Sequence, residues 1–91
     1  MYEKIYVGLI VEFLRDGGMR PRELLWHDGK RFIIDRVKFI EKAPCKTGGI
    51  LTTRYTILIG GEERLLFYEK SKEKWFIERK KNENYTAQRL E

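Results

Sequence analysis

Residues 24–34 read LLWHDGKRFII. Two short apolar and aromatic runs flank Asp28-Gly29. An Asp-Gly pair between such runs is the strongest short-range hairpin signal, because a two-residue type I′ turn needs positive φ at both central positions. The stretch therefore predicts paired antiparallel strands at 24–27 and 30–34, with Trp26 and Phe32 as their large anchors.

Upstream, residues 4–14 alternate, with Ile5, Val7, Leu9, Val11 and Phe13 on one face. Gly8 interrupts this strand, and glycine inside a strand marks a bulge or a bend where a sheet curls. Asp16-Gly17-Gly18 ends it, and residues 19–23 read as a short connection stiffened by Pro21. Downstream, the apolar phase breaks. Phe32 and Ile34 share one parity, Val37 and Phe39 the other, so Asp35-Arg36 is a candidate bulge or corner joining two sides of a barrel.

Residues 42–49, with Pro44 and Gly48-Gly49, read as the longest loop. They lack the GxxxxGK[ST] pattern of a phosphate-binding loop, and no helix pattern follows them. Strand patterns return at 51–59, 63–70 and 75–80, separated by Gly60-Gly61 and a polar turn at 71–74. Short strands at regular spacing predict an all-β fold: a single small antiparallel barrel or curled roll of five to six strands, SH3-like or similar. Residues 1–81 form its one domain. Residues 82–91 have little to bury and read as a disordered or frayed tail.

The chain has 91 residues, 42% of them hydrophobic and 13% aromatic, which suits one modest core and not a disordered polymer. No apolar run approaches the ~20 residues of a membrane-spanning helix. Residues 5–11 are too short for a signal peptide and are followed at once by Glu12. The expected location is the cytoplasm. Cys45 is the only cysteine and His27 the only histidine, too few for a disulfide or a usual zinc site. No metal or other cofactor is expected. His27 at a hairpin end and Cys45 in a loop lack the base and orienting group of a catalytic constellation, and no HExxH or GxSxG pattern occurs. An enzyme is not expected.

The net charge of +5 is unevenly placed. Between Lys30 and Arg54 stand seven basic residues against Asp35 and Glu41, an excess equal to the whole net charge. Small barrels bind nucleic-acid strands by combining cations with aromatic faces on which bases stack. On that logic Arg31, Arg36, Lys38, Lys46 and Arg54 are the candidate phosphate contacts. Trp26, Phe32 and Tyr55 are assigned to the core, and Phe76 or Tyr68 to an exposed stacking surface. The expected function is a small non-enzymatic module binding the phosphate backbone of DNA or RNA. The alternative is a protein-interaction module with an acidic protein partner. A monomer is expected, with a homodimer through an open sheet edge as the other possibility.

The pattern Pro21, Leu24, Trp26, Asp28-Gly29, Phe32, Ile34-Asp35, Val37, then Gly49, Arg54-Tyr55-Thr56, Gly60, Leu65 and Trp75-Phe76-Ile77-Glu78, resembles a group of small uncharacterised bacterial proteins. More distantly, it is similar to a short domain of unknown function encoded near translesion-polymerase accessory proteins. The likeness covers about residues 20–80 and consists of turn and core positions, so it implies a fold more than an activity. Its distant part implies a DNA-repair setting and a nucleic-acid or polymerase partner.

Overall fold

The computed structural model describes residues 1–80. They form seven strands: β1 Tyr2–Phe13, β2 Met19–Leu25, β3 Arg31–Ile33, β4 Arg36–Pro44, β5 Leu51–Ile59, β6 Glu62–Glu69 and β7 Lys74–Lys80. All neighbours are antiparallel, in the order β3-β2-β1-β7-β6-β5-β4. The all-β curled roll is as the sequence predicts; the strand count is seven, not five to six. The added strand is β4, which the corner at Ile34-Asp35 separates from β3; segments read as connections lengthen β2 and β4. Residues 19–23 belong to β2 despite Pro21, because the ladder is already broken beside it: Val11 pairs Pro21 and Ile10 pairs Glu23, leaving Arg22 as the extra residue of a bulge. Likewise β4 runs on to Pro44, so the loop after it is shorter than the glycines suggest. The expected frayed tail at 82–91 lies outside the described residues.

β1 is long enough to serve two neighbours. Its first half pairs β7, from Tyr2↔Lys80 to Val7↔Trp75. Its second half pairs β2, from Gly8↔Leu25 to Phe13↔Met19. The hand-over falls at Gly8, where the sequence predicts a bend. A Cβ on Gly8 would stand 3.2 Å from Leu25 Cβ, so the missing side chain is what lets the strands approach.

The Asp28-Gly29 turn is a hairpin turn, but not of the expected kind. Only Gly29 has positive φ (92°). The Gly29 N–H donates to Trp26 O, and the Trp26 N–H to Lys30 O, both at 2.9 Å. This is a type I turn followed by a left-handed glycine, a three-residue loop. The register explains the choice. A two-residue loop would pair Leu25 with Phe32 and put Phe32 on the opposite face from Leu24. The observed loop pairs Leu24 with Phe32, so both face the core. Residues 14–18 repeat the design: Gly17 has φ 93°, and Gly18 N–H donates to Asp16 Oδ1 as Lys30 N–H does to Asp28 Oδ1. A true type I′ turn occurs at Gly60-Gly61, both with positive φ, between the paired Ile59 and Glu62.

The tightest constraint is at Ile34 and Asp35. These two residues carry the chain from β3, at one rim of the sheet, to β4, at the other. Three virtual bonds reach at most about 10 Å, so the rims must meet there. The Ile34 N–H donates to Arg22 O on β2 (2.9 Å), and the Asp35 N–H to Leu58 O on β5 (2.8 Å). The Asp35 carboxylate accepts from Gly60 N–H at 2.9 Å. The predicted corner is therefore real, and the sheet curls because both rims are stitched to it.

Inside the curl lie Leu24, Ile34, Tyr55, Ile57, Ile59, Leu66, Trp75 and Ile77, with Ile5, Val7, Leu9 and Val11 of β1 packed against them. Tyr55 is buried as expected, whereas Trp26 and Phe32 are half-buried at the margin. Phe13 leaves the core face, because β1 there runs past the enclosed part of the sheet. Burial, reinforced by Tyr68, raises the Tyr55 phenol above its ordinary value.

Two stability outcomes follow. Leu24→Ala, at a fully enclosed position, lowers the unfolding free energy by about 3 kcal/mol in urea titration. Glu73 is the one non-glycine with positive φ (54°) among the described residues. Glu73→Gly relieves that conformation and raises the urea midpoint, by about 1 kcal/mol of stability.

Candidate nucleic-acid interface

The basic residues singled out in the sequence do not form one surface. Arg31 lies on β3 beside Glu23, with Nε 3.9 Å from its carboxylate. Arg54 binds Glu41 of the neighbouring strand at 2.8 Å. Lys38 reaches across β5 to Glu63 on β6. Lys46 stands in the turn after β4, where its ammonium donates to Tyr2 Oη (3.2 Å) and lies over that ring. Arg36 and Lys46 are separated by the length of β4, roughly 30 Å at the usual rise. Of the five, only Arg36 has no carboxylate partner and no other polar partner among the described residues.

Phe76 is not a stacking surface. It is fully buried, stacked on Phe67 with centroids 5.1 Å apart and planes 9° from parallel. These rings and Cys45 form a second small core on the face of the sheet away from the main one. The turn after β4 folds across that face. Thr47 N–H and Oγ1–H both donate to Glu78 Oε2 on β7 at 2.6 Å. Buried Glu69 flanks the cluster and accepts from Lys4 and Tyr6. Tyr68, the other suggested stacking group, is half-buried against Trp75. His27 is exposed at the tip of the β2–β3 hairpin, against Trp26, and Cys45 is buried with its thiol directed at Thr47 O.

The structure instead brings cations together at the seam where the rims meet. A cleft of about 200 Å³ lies between β2 and the start of β4, lined by Arg20, Arg22 and Arg36 together with Pro21, Ile34 and Asp35. Asp35 is the one acid among these lining residues, and its carboxylate is already bonded to Gly60 N–H. Arg20 and Arg36 have no ion-pair partner among the described residues. Arg22 is 3.6 Å from Glu12, and both side chains are more than half exposed, so the pair is weak. Guanidinium suits phosphate because its planar fork donates to two oxygens at once.

The seam widens beyond this cleft into a second hollow, bounded by Met19, Arg20, Val37, Lys38, Phe39 and Ile40. Arg20 and Val37 line both, so the two adjoin. The lining turns from basic to apolar along the way. Phe39 is 60% exposed and Ile40 56%. Their exposure follows from a bulge: Val37 pairs Ile57 and Phe39 pairs Thr56, leaving Lys38 unmatched and turning Phe39 outward. The seam is thus flanked by two bulges, at Arg22 and at Lys38, each re-aiming side chains beside an unpaired strand rim.

Sequence inspection missed Arg20, Arg22 and Phe39. Arg20 and Arg22 lie outside the basic run, and only the three-dimensional curl sets them opposite Arg36. The phase break at 35–39 was the available signal for Phe39.

Comparison with known protein families, with curated proteins and with solved structures finds no match. Among the described residues no helix is long and apolar enough to cross a membrane.

The two aromatic positions should separate cleanly. Phe76→Ala costs about 3–5 kcal/mol in urea unfolding. Phe39→Ala changes stability by no more than about 0.5 kcal/mol, as at an ordinary surface site.

Proposed function

We propose that this protein is a non-enzymatic module that binds single-stranded nucleic acid along the seam between β2 and β4. The observation that carries this is the convergence of Arg20, Arg22 and Arg36 on one cleft that opens onto exposed Phe39. Cations neutralise backbone phosphates, and an exposed ring accepts an unstacked base. A duplex keeps its bases stacked and offers Phe39 no such face, so the ring favours a single strand. The DNA-repair setting implied by the resemblance of residues 20–80 is one in which single strands occur. The site differs from the basic arc expected from sequence: Arg36 is common to both, Lys38 borders the second hollow but is paired with Glu63, Arg20, Arg22 and Phe39 are new, and Arg31, Lys46, Arg54 and Phe76 drop out.

A protein-interaction role has one observation in its favour. β4 is a rim strand with its outer side unpaired, and Phe39 and Ile40 stand exposed on it. An extended peptide could add to such an edge. The Lys38 bulge, however, breaks the regular ladder that an added strand would extend.

Fluorescence anisotropy with a labelled mixed-sequence oligonucleotide tests the proposal. Three phosphate contacts give a log–log salt slope of about −2, so affinity falls about 20-fold between 50 and 200 mM salt. Arg20→Ala combined with Arg36→Ala brings the slope to about −0.7. Phe39→Ala weakens single strands about tenfold and leaves duplex binding unchanged. No binding at 50 mM salt, or full binding by the double arginine variant, would remove the seam as a nucleic-acid site.

A further inference from the structure

We infer that the arginine cleft is a blind end, built for the terminal phosphate monoester of a strand and not for an internal phosphodiester. This rests on single-strand binding at the seam and goes beyond it by naming which part of the ligand the cleft takes.

The first reason is topological. The chain crosses the seam at Ile34 and Asp35, and the crossing is pinned on both sides: to Arg22 O on β2, to Leu58 O on β5, and through the Asp35 carboxylate to Gly60 N–H. A strand lying in the seam cannot run on beneath this bridge. It has to stop in the cleft or leave the seam. The cleft also holds only about 200 Å³, below the ~300 Å³ at which ordinary small-molecule sites begin. That suits a phosphate head more than a whole nucleotide.

The second reason is charge. An internal diester carries one negative charge and two free oxygens. A phosphate monoester carries about −1.5 to −2 near neutral pH and has three free acceptor oxygens. With Asp35 in the cleft and Glu12 beside Arg22 the excess is one positive charge, and the two arginines without ion pairs, Arg20 and Arg36, offer planar forks that a monoester's three free oxygens can fill more fully than a diester's two. Asp35 is the repulsive group in the cleft, and its bond to Gly60 N–H holds the carboxylate on the turn side of the bridge.

The third reason is the order of surfaces. The arginines lie at the closed end, and Phe39 lies three residues after Arg36, about 10 Å along β4. A terminal phosphate seated among the arginines therefore directs the first bases of its strand toward the exposed ring.

Anisotropy measurements on the full chain test this. One oligonucleotide sequence is used in four forms: 5′-hydroxyl, 5′-phosphate, 3′-hydroxyl and 3′-phosphate, each labelled at the opposite end. A single-stranded circle and inorganic phosphate serve as unlabelled competitors. The expected result is that one phosphorylated end, 5′ or 3′, binds about tenfold or more tightly than its hydroxyl form, the value of one charge-assisted hydrogen bond. Inorganic phosphate erases that advantage, and the circle competes no better than a hydroxyl-ended strand. Arg36→Ala reduces the ratio of the two affinities to about one. Arg36→Lys, which keeps the charge but loses the fork, retains only part of it, and urea titration confirms that both variants fold. Equal binding of all four linear forms and the circle overturns end recognition while single-strand binding at the seam stands. Absence of binding by every form overturns both.

Discussion

The structure depends on a two-residue bridge. Ile34 and Asp35 join the strands at opposite rims of a seven-stranded sheet, and so short a link allows no flat or open arrangement. Hydrogen bonds from one backbone N–H to β2 and from the next to β5 fix both rims at one point. Everything enclosed follows from that closure. Leu24 and Phe32 come in from one side, Tyr55, Ile57 and Ile59 from the other, and β1 with β7 completes the wall between them. The same closure creates the seam, because rims tied at one corner and not paired along their length leave a gap beyond the tie.

Electrostatics in this fold is settled across strands, not along the chain. A window from 30 to 54 contains few acids, so its cations look unbalanced. Yet Glu63 answers Lys38 from 25 residues away, Glu23 answers Arg31 across a hairpin, and Glu41 answers Arg54 across another. Each of these pairs places opposite charges on neighbouring or next-neighbouring strands, where pairing reduces the field a ligand would meet. Arg20 and Arg36, beside the seam, have no such partner among the described residues; the acid in register with Arg20, Glu12 of β1, stands 3.6 Å from Arg22 instead.

Much of the architecture was legible locally. Period-two runs marked most strands, Gly8 marked the hand-over of β1, Gly60-Gly61 marked a tight turn, and the phase break at Asp35-Arg36 marked the corner. What could not be read depended on the opposite strand. Asp-Gly is compatible with either a two- or a three-residue loop, and only the need to bury Leu24 and Phe32 together selects between them. Pro21 argued against a strand that a bulge makes possible. Phe76 alternates with core residues and so pointed outward. It is buried all the same because a turn more than 25 residues earlier folds over that face and is tied to Glu78. The candidate site was half legible for the same reason: Arg36 was visible, but its companions come from a segment that sequence distance separates and the curl unites.

The pairing of β1 with β7 has a kinetic consequence. β1 is synthesised first, yet half of its hydrogen-bonding edge is matched only by the last of the seven strands. The β1–β2–β3 meander and the β4–β5–β6 meander can each form from local contacts, but closing them into one sheet requires a loop of some seventy residues to be brought together. High contact order of this kind slows folding and leaves unsatisfied strand edges exposed in the interim. The cost of wrapping a small β chain around a single stitched corner therefore falls on its assembly, in the interval before the last strand docks against the first.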